Sequence, residues 1–135
     1  MTTDHATVDP AGTAVDAAAI LATIDDYYLG WYDADGDRMA RALHPDRATR
    51  GWLRGREGDA DLLLELDTFD TMVGFAAAGE GRQTDAAARA YDVHIDDVHG
   101  DIAAATVHAV PYVDYLHLVR TSEGWRIVNA LWCPS

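Results

Sequence analysis

The last third of the chain, from Ala88 to Trp132, carries the clearest pattern of apolar and polar positions. Runs rich in β-branched and aromatic residues alternate there with short turn-forming segments, as they do in antiparallel strands. Gly100 and Gly124 stand in two of these segments, where tight hairpin loops favour the positive φ that glycine adopts easily. With a further bend at Pro111–Asp114, the pattern predicts three or four strands in an antiparallel meander.

The first part of the chain has helical spacing instead. Apolar residues recur three and four positions apart from Ala14 to about Asp33, which predicts a long helix packed on the sheet. A short helix that ends at Pro45 should follow. Residues 1–12 are polar and predict a flexible arm ahead of a single domain, residues 13–135.

Between the short helix and the meander the pattern is mixed. Residues 49–53 predict a strand, which a polar loop follows. Residues 62–66 (LLLEL) could return as the hairpin partner of that strand, or could equally begin a helix. A third helix should run from Asp67 or Thr68 to about Ala78 and end at the glycines that follow.

Strand alternation decides which side chains of the meander can meet, because successive residues of a strand point to opposite faces. With the turns placed as above, one face of the sheet should carry two imidazoles, two phenols and a hydroxyl, on Tyr91, Thr106, His108, Tyr115 and His117. His94 has the opposite parity and should point away. A slip of one residue at either turn would reverse these assignments.

Composition narrows the classes of partner. Ten basic residues against twenty-three acidic ones give a formal charge of −13, and lysine is absent, so the clustered cations of a nucleic-acid-binding protein are missing. No apolar run approaches the roughly twenty residues of a membrane helix, so we expect no membrane insertion. The single cysteine, Cys133, can form no internal disulfide and predicts a reducing, cytoplasmic location. No glycine-rich phosphate loop is present, so we expect no nucleotide cofactor.

Several segments carry a resemblance to a known family: ALHPD at 42–46 with Arg50, DYLHLV at 114–119, GWRIVN at 124–129 and LW at 131–132. They are similar to segments of the NTF2-like superfamily, and most of all of its putative lumazine-binding or SnoaL-like subgroup. The resemblance covers about residues 16–132. It implies an α+β cone in which three N-terminal helices pack on a strongly curved antiparallel sheet.

Two better-understood members of this superfamily can be compared residue by residue. The resemblance to ketosteroid isomerase places its helix tyrosine at or next to Leu29, whose neighbour is Tyr28, and its hydrogen-bonding aspartic acid at His117. Its general-base aspartate falls where no carboxylate stands close by. Scytalone dehydratase uses two histidines and has a Tyr-Asp pair in its first helix, which Tyr32-Asp33 resembles. A histidine-based dehydratase or cyclase is therefore the closer analogy.

The leading hypothesis is a cofactor-independent lyase, isomerase or cyclase that acts on a flat, mostly apolar small molecule. His117 would be the acid–base group, with His108 as the second catalytic histidine. Residues expected to bind the substrate are Tyr28, Trp31, Tyr32, Trp52, Tyr91 and Tyr115. The same pocket could serve a non-catalytic ligand-binding or accessory protein, and a purely structural dimerisation module is a third possibility.

Two further expectations concern metal ions and oligomeric state. His108, His117 and one aspartate could supply metal ligands, but histidine pairs on adjacent strands are common, and we expect no metal ion. We expect a homodimer that forms through the open face of the sheet.

Overall fold

The computed structural model describes the backbone of residues 10–54 and 62–135 and the side chains of residues 15–53 and 65–135. The described residues form three helices and six strands. In chain order these are α1 (Pro10–Tyr32), α2 (Gly36–Ala42), β1 (Leu43–Arg54), β2 (Leu62–Asp67), α3 (Phe69–Ala78), β3 (Tyr91–His99), β4 (Ile102–Ala109), β5 (Tyr112–Thr121) and β6 (Gly124–Pro134). None of these three helices combines the length and the apolar character that crossing a bilayer requires.

Helix α1 is the long helix that the spacing predicts, and it begins earlier than expected, at Pro10. Proline is favoured in the first turn of a helix because its missing N–H would have no partner there. Ile20, Ile24 and Tyr28 lie four residues apart and are all buried, which confirms the predicted apolar face. The predicted flexible arm overlaps the helix at residues 10–12, and residues 1–9 lie outside the described part of the chain.

Helix α2 is short, and Asp35 caps it by accepting a hydrogen bond from the backbone N–H of Arg38 at 3.0 Å. The helix ends at Ala42, so the prediction that Pro45 ends it is wrong. Pro45 lies inside β1, on a stretch where the pairing of β1 with β6 is irregular. Proline has no backbone N–H to donate to a neighbouring strand, and it is tolerated where the strand pairing is irregular.

Residues 62–67 form the hairpin partner of β1, so the helical alternative for this segment is wrong. The predicted polar loop between the two strands falls on residues 55–61, outside the described residues. Thr68 then caps α3 by accepting from the backbone N–H of Thr71. Gly79 ends α3 with φ +85°, in the left-handed region that favours glycine.

The six strands form one sheet in the order β2-β1-β6-β5-β4-β3. Strands β3 to β6 are the predicted antiparallel meander. Strand β1 joins them by pairing parallel with β6, so the sheet is mixed rather than antiparallel throughout. The fold is otherwise the α+β arrangement predicted, with three helices packed on an open, curved sheet.

The two faces of this sheet differ sharply. The inner face, which we define as the face that the helices cover, holds the buried core residues Val107, Leu116 and Ile127. The outer face is the opposite one. Residues such as Tyr115 and Leu131 lie there and are about half exposed, at 58% and 48%.

The register of β4 and β5 corrects the predicted position of the histidines. Thr106 pairs with Tyr115, two residues away from the predicted register, so the parity is unchanged and Thr106, His108, Tyr115 and His117 do share a face. That face is the outer one, since His108, Tyr115 and His117 are all exposed. The prediction that His108, Tyr115 and His117 look into the pocket is wrong.

The register of β3 corrects a second assignment, that Tyr91 shares a face with His108 while His94 lies on the opposite face. A bulge between Ile95 and Asp97 shifts the pairing of β3 with β4 by one residue. As a result Tyr91 faces inward, opposite the buried Ala109, and His94 faces outward opposite Thr106. A one-residue shift of this kind exchanges the two faces of a strand, and the sequence pattern did not reveal it.

Candidate functional site

A cavity of about 90 Å³ lies between the helices and the inner face of the sheet. Helices α1 and α3 form one side, and strands β2, β5 and β6 form the other. Its lining is mostly aromatic, with three acidic residues: Tyr27, Tyr28, Trp31, Glu65, Asp67, Met72, Phe75, Tyr112, Asp114 and Trp132.

Regular spacing brings these side chains together. Tyr27 and Trp31 are four residues apart on α1 and so lie on one face of the helix. Tyr112 and Asp114 are two residues apart on β5, and both point inward. Asp114 pairs with Trp132 on β6, which sets the carboxylate beside the indole across the sheet.

Each of the two tryptophans that line the cavity packs against a glycine. A Cβ at Gly51 would lie 2.6 Å from the ring of Trp132, and a Cβ at Gly81 would lie 2.1 Å from the ring of Trp31. Both distances are shorter than real Cβ contacts, so each indole lies directly against a glycine backbone. The positions of the two indole rings therefore depend on the absence of a side chain at residues 51 and 81.

The central polar pair of the cavity is Tyr28 and Asp114. Asp114 is only 2% exposed and Tyr28 only 1%. The phenol O–H of Tyr28 donates a hydrogen bond to Oδ2 of Asp114. The other carboxylate oxygen, Oδ1, is buried and has no hydrogen-bond partner among the described residues, which is costly for a buried polar atom.

Burial sets the acidity of this pair. Loss of solvation raises the pKa of Asp114 from its ordinary 3.8 to about 6, although the Tyr28 hydrogen bond and the charge of Arg47 act in the opposite direction. Burial, followed by the nearby Asp114 charge, raises the pKa of Tyr28, which therefore stays a protonated donor. A carboxyl group with a pKa near 6 can take up or release a proton close to neutral pH.

Two neighbouring aromatic rings pack against the ring of Tyr28. Its ring stacks on Tyr91, with centroids 4.7 Å apart and planes at 23°, and it lies 6.0 Å from the ring of Tyr32. The phenol of Tyr91 donates to Oδ1 of Asp25 on α1 at 2.5 Å. The donor of the polar pair is thus fixed by packing on both α1 and β3.

The remaining charges near the cavity are two acidic residues and one buried arginine. Asp67 is 5% exposed and Arg47 is 3% exposed, and Nη1 of Arg47 donates to the backbone carbonyl of Asp67 at 3.4 Å. Burial lowers the pKa of Arg47, against the raising influence of Tyr27, Asp67 and Asp114. Burial, together with a hydrogen bond and the charge of Asp67, raises the pKa of Glu65.

The residues expected to bind substrate fall into three groups. Tyr28 and Trp31 line the cavity. Tyr32 and Tyr91 face inward and belong to the aromatic packing around Tyr28. The remaining two, Trp52 and Tyr115, lie on the outer face and do not reach the cavity.

The two histidines expected to be catalytic are also apart from the cavity. His117 lies in an open groove of the outer face, where its Nδ1 is 3.4 Å from the side-chain nitrogen of Asn129. His108 borders a separate outer depression beside Asp92. Among the side chains that the structure describes, no three His, Cys, Asp or Glu residues converge as metal ligands would.

Sequence reasoning missed Asp114 as a site residue, although the signal was present. Leu116 and Leu118 are buried and have the inward parity of β5, and Asp114 shares that parity, although Val113 and Val119 stand on the opposite one. An acidic residue in phase with core leucines is a buried carboxylate, which is rare unless it is paired. The resemblance to ketosteroid isomerase drew attention to His117 instead, which lies on the outer face.

The family model described as "Putative lumazine-binding" matches residues 15–133. The chain belongs to this family. The match covers the whole of the cavity lining described above, from α1 to β6. No functionally curated protein matches the sequence of this member of the putative lumazine-binding family.

Solved structures of NTF2-like proteins share the fold. One of unknown function from Silicibacter pomeroyi DSS-3 has a TM-score of 0.69 and 19% identity over 91% of this chain and 98% of its own. Another from Methylobacillus flagellatus KT has a TM-score of 0.64 and 20% identity over 89% and 92%. A "putative dehydratase from the NTF2-like family" of Streptomyces avermitilis has a TM-score of 0.56 and 14% identity over 90% and 97%. At these identities the likeness shows the fold alone.

Proposed function

We propose that this chain is a small-molecule enzyme of the lyase, isomerase or cyclase kind, in which Asp114 transfers the proton. The observation that carries the proposal is a carboxyl group with a pKa of about 6 in an aromatic cavity, hydrogen-bonded to a tyrosine. Paired titratable groups with displaced pKa values in a cavity are the usual mark of an acid–base site.

Each part of the cavity has a role in this proposal. Above its pKa, Asp114 is a general base that accepts a proton from the bound molecule and can later return it. Tyr28 orients the carboxylate and stays protonated. The aromatic walls stack on a flat ring and exclude water, which strengthens the polar contacts inside. We assign no step to His117 or His108, because both lie on the other face of the sheet.

A non-catalytic ligand-binding protein is the second candidate, and the family description favours it because it names binding rather than a reaction. The cavity could hold the same ligand without converting it. A purely structural Tyr28–Asp114 pair is the plainest alternative, since buried ion and hydrogen-bond networks also displace pKa values.

Incubation with a small-molecule extract, followed by mass spectrometry, tests the proposal. The native protein should deplete one compound and form one product, with loss of a small molecule for a lyase or no change of mass for an isomerase. Asp114→Asn should retain the compound without converting it, and His117→Ala should convert it at the native rate. Retention without conversion by the native protein would favour the binding candidate, and conversion by Asp114→Asn would contradict the assignment of Asp114.

We also propose that the outer face pairs with a second copy of the chain. It exposes four large apolar side chains, each about half exposed: Trp52, Leu66, Tyr115 and Leu131. Such a concentration marks an interaction surface. Two copies that each carry a formal charge of −13 repel one another, so a patch without acidic side chains is the favourable place for contact, and a two-fold contact needs a self-complementary patch.

Sedimentation equilibrium tests this pairing. The native chain should be a dimer, and Leu131→Asp should be a monomer. Val15→Asp is the matched control, because Val15 is also an exposed apolar residue (68%), and it lies on α1, away from the outer face. A monomeric native chain, or a dimer that Leu131→Asp leaves intact, would contradict the proposal.

We also propose a cytoplasmic location, because the sequence has a single cysteine, Cys133, which can form no internal disulfide.

A further inference from the structure

We infer that the ligand of this cavity is an uncharged or cationic planar ring that donates an N–H or O–H hydrogen bond to Oδ1 of Asp114. The inference rests on the proposed ligand-binding role of the cavity and adds the chemical class of the ligand. Three observations carry it: an acceptor without a donor, walls made of flat rings, and acidic charge in the lining.

The acceptor is the most specific of the three. Asp114 lines the cavity, and its two oxygens differ, because Oδ2 accepts from Tyr28 while Oδ1 is buried with no partner among the described residues. A buried carboxylate oxygen left unpaired is costly, and a donor on the ligand would remove that cost. A ligand that offers only acceptors would leave the cost in place.

The walls favour a ring. Six of the ten lining residues are aromatic, and they come from both sides of the cavity: Tyr27, Tyr28, Trp31, Phe75, Tyr112 and Trp132. The volume of about 90 Å³ is well below the roughly 300 Å³ at which pockets begin to bury drug-sized molecules. The cavity therefore suits one ring, or the edge of a larger flat ring system.

The charge of the lining disfavours anions. Glu65, Asp67 and Asp114 line the cavity, whereas no described lining residue is a lysine, arginine or histidine. Arg47 is the nearby cation, but it is not a lining residue. Its Nη1 donates to the carbonyl of Asp67, while its buried Nε and Nη2 have no partner among the described residues. A carboxylate or phosphate on the ligand would face three acidic groups with no cation in the lining itself to pair with it.

Three single-ring probes separate these requirements. Phenol donates a hydrogen bond, anisole keeps the ring and the oxygen but cannot donate, and benzoate carries a negative charge. Their dissociation constants for the full-length protein can be measured by ligand-observed NMR at about pH 8, where Asp114 is ionised. Phenol should bind about tenfold more tightly than anisole, and benzoate should bind more weakly than either.

Two matched variants locate the effect. Asp114→Asn keeps an oxygen for Tyr28 but turns an N–H group toward the free position, so the preference for phenol over anisole should fall to within about twofold. Asp67→Asn makes the same chemical change elsewhere in the lining, so it should keep the preference and bind benzoate more tightly. Circular dichroism establishes that both variants are folded.

The outcomes distinguish the inference from the proposed function. If phenol binds no better than anisole, or benzoate binds as well as phenol, the ligand class is wrong while the cavity remains a binding site. If Asp114→Asn keeps the full preference for phenol, Oδ1 is not the acceptor. If none of the three probes binds the native protein, both the ligand class and the proposed function are overturned.

Discussion

Alternate residues of β5 meet two different environments. Asp114 and Leu116 point to the inner face and are 2% and 1% exposed, whereas Tyr115 and His117 point to the outer face and are exposed. The imidazole of His117 lies in solvent. The carboxyl group of Asp114 is brought to a pKa of about 6 by burial. Environment rather than residue type makes the inner residue the candidate acid–base group.

The largest expected difference between the faces is a dependence of stability on pH. Because the folded pKa of Asp114 lies above its unfolded value of 3.8, the folded state binds the proton more tightly. The contribution of Asp114 to the free energy of unfolding is therefore greatest below about pH 4 and falls as pH rises to about 6, by about 3 kcal/mol.

Urea unfolding of the native chain and of Asp114→Asn between about pH 4 and pH 7 measures this difference. Asp114→Asn should gain about 2 kcal/mol relative to the native chain over that interval. His117→Asn is the outer-face control and should show no gain of that sign and size. A constant difference between the native chain and Asp114→Asn would contradict the raised pKa.

The next largest effect concerns the donor of the inner pair. Tyr28→Phe leaves the Asp114 carboxylate without its hydrogen bond, and should lower the free energy of unfolding by about 2 kcal/mol at about pH 8. Tyr115→Phe removes the same hydroxyl from the outer face and should change it by less than about 0.5 kcal/mol. Equal losses in the two variants would remove the distinction between the faces.

A smaller effect on stability is expected for glycine-to-alanine variants. The added methyl group should destabilise the protein at Gly51 and Gly81 and stabilise it at Gly74. Gly51→Ala and Gly81→Ala push against Trp132 and Trp31, and each should cost about 1–2 kcal/mol. Gly74→Ala meets nothing within 4 Å on helix α3 and should stabilise by about 0.5–1 kcal/mol. Thermal unfolding of the three variants checks the signs, and stabilisation by Gly51→Ala or Gly81→Ala would show that the tryptophans are not seated as described.

The smallest effect is expected at the predicted catalytic histidine. His117→Ala should change the free energy of unfolding by less than about 0.5 kcal/mol and leave phenol binding unchanged, because the side chain is exposed and lies on the far face from the cavity. Denaturant unfolding and the NMR binding assay measure both. A loss of phenol binding would mean that the outer groove, and not the inner cavity, takes the ring.

The fold was predictable because local signals and the global arrangement agree. Turn glycines such as Gly100 and Gly124, the helical spacing of α1 and the cap at Thr68 are all read from short stretches of sequence. The parallel pairing of β1 with β6 is not local, and no short stretch encodes it. It was therefore missed.

The site was less predictable, because it depends on register. A single bulge near Asp97 exchanges the faces of Tyr91 and His94, and a bulge leaves little trace in the alternation of apolar residues. The inward parity of Leu116 and Leu118 could have placed Asp114 inside and His117 outside. Residue type pointed the other way, because histidine is the side chain most often used for proton transfer near neutral pH.

The most direct test of the account is the titration of the Asp114 carboxyl carbon, followed by 13C NMR and assigned by its absence from Asp114→Asn. The native chain should show a midpoint of about pH 6, unchanged in His117→Ala. In Tyr28→Phe the midpoint should be higher, because the hydrogen bond that stabilises the carboxylate is lost. A midpoint near the ordinary aspartate value of 3.8 would show that the carboxyl group is solvated, and would contradict the inner cavity as an acid–base site.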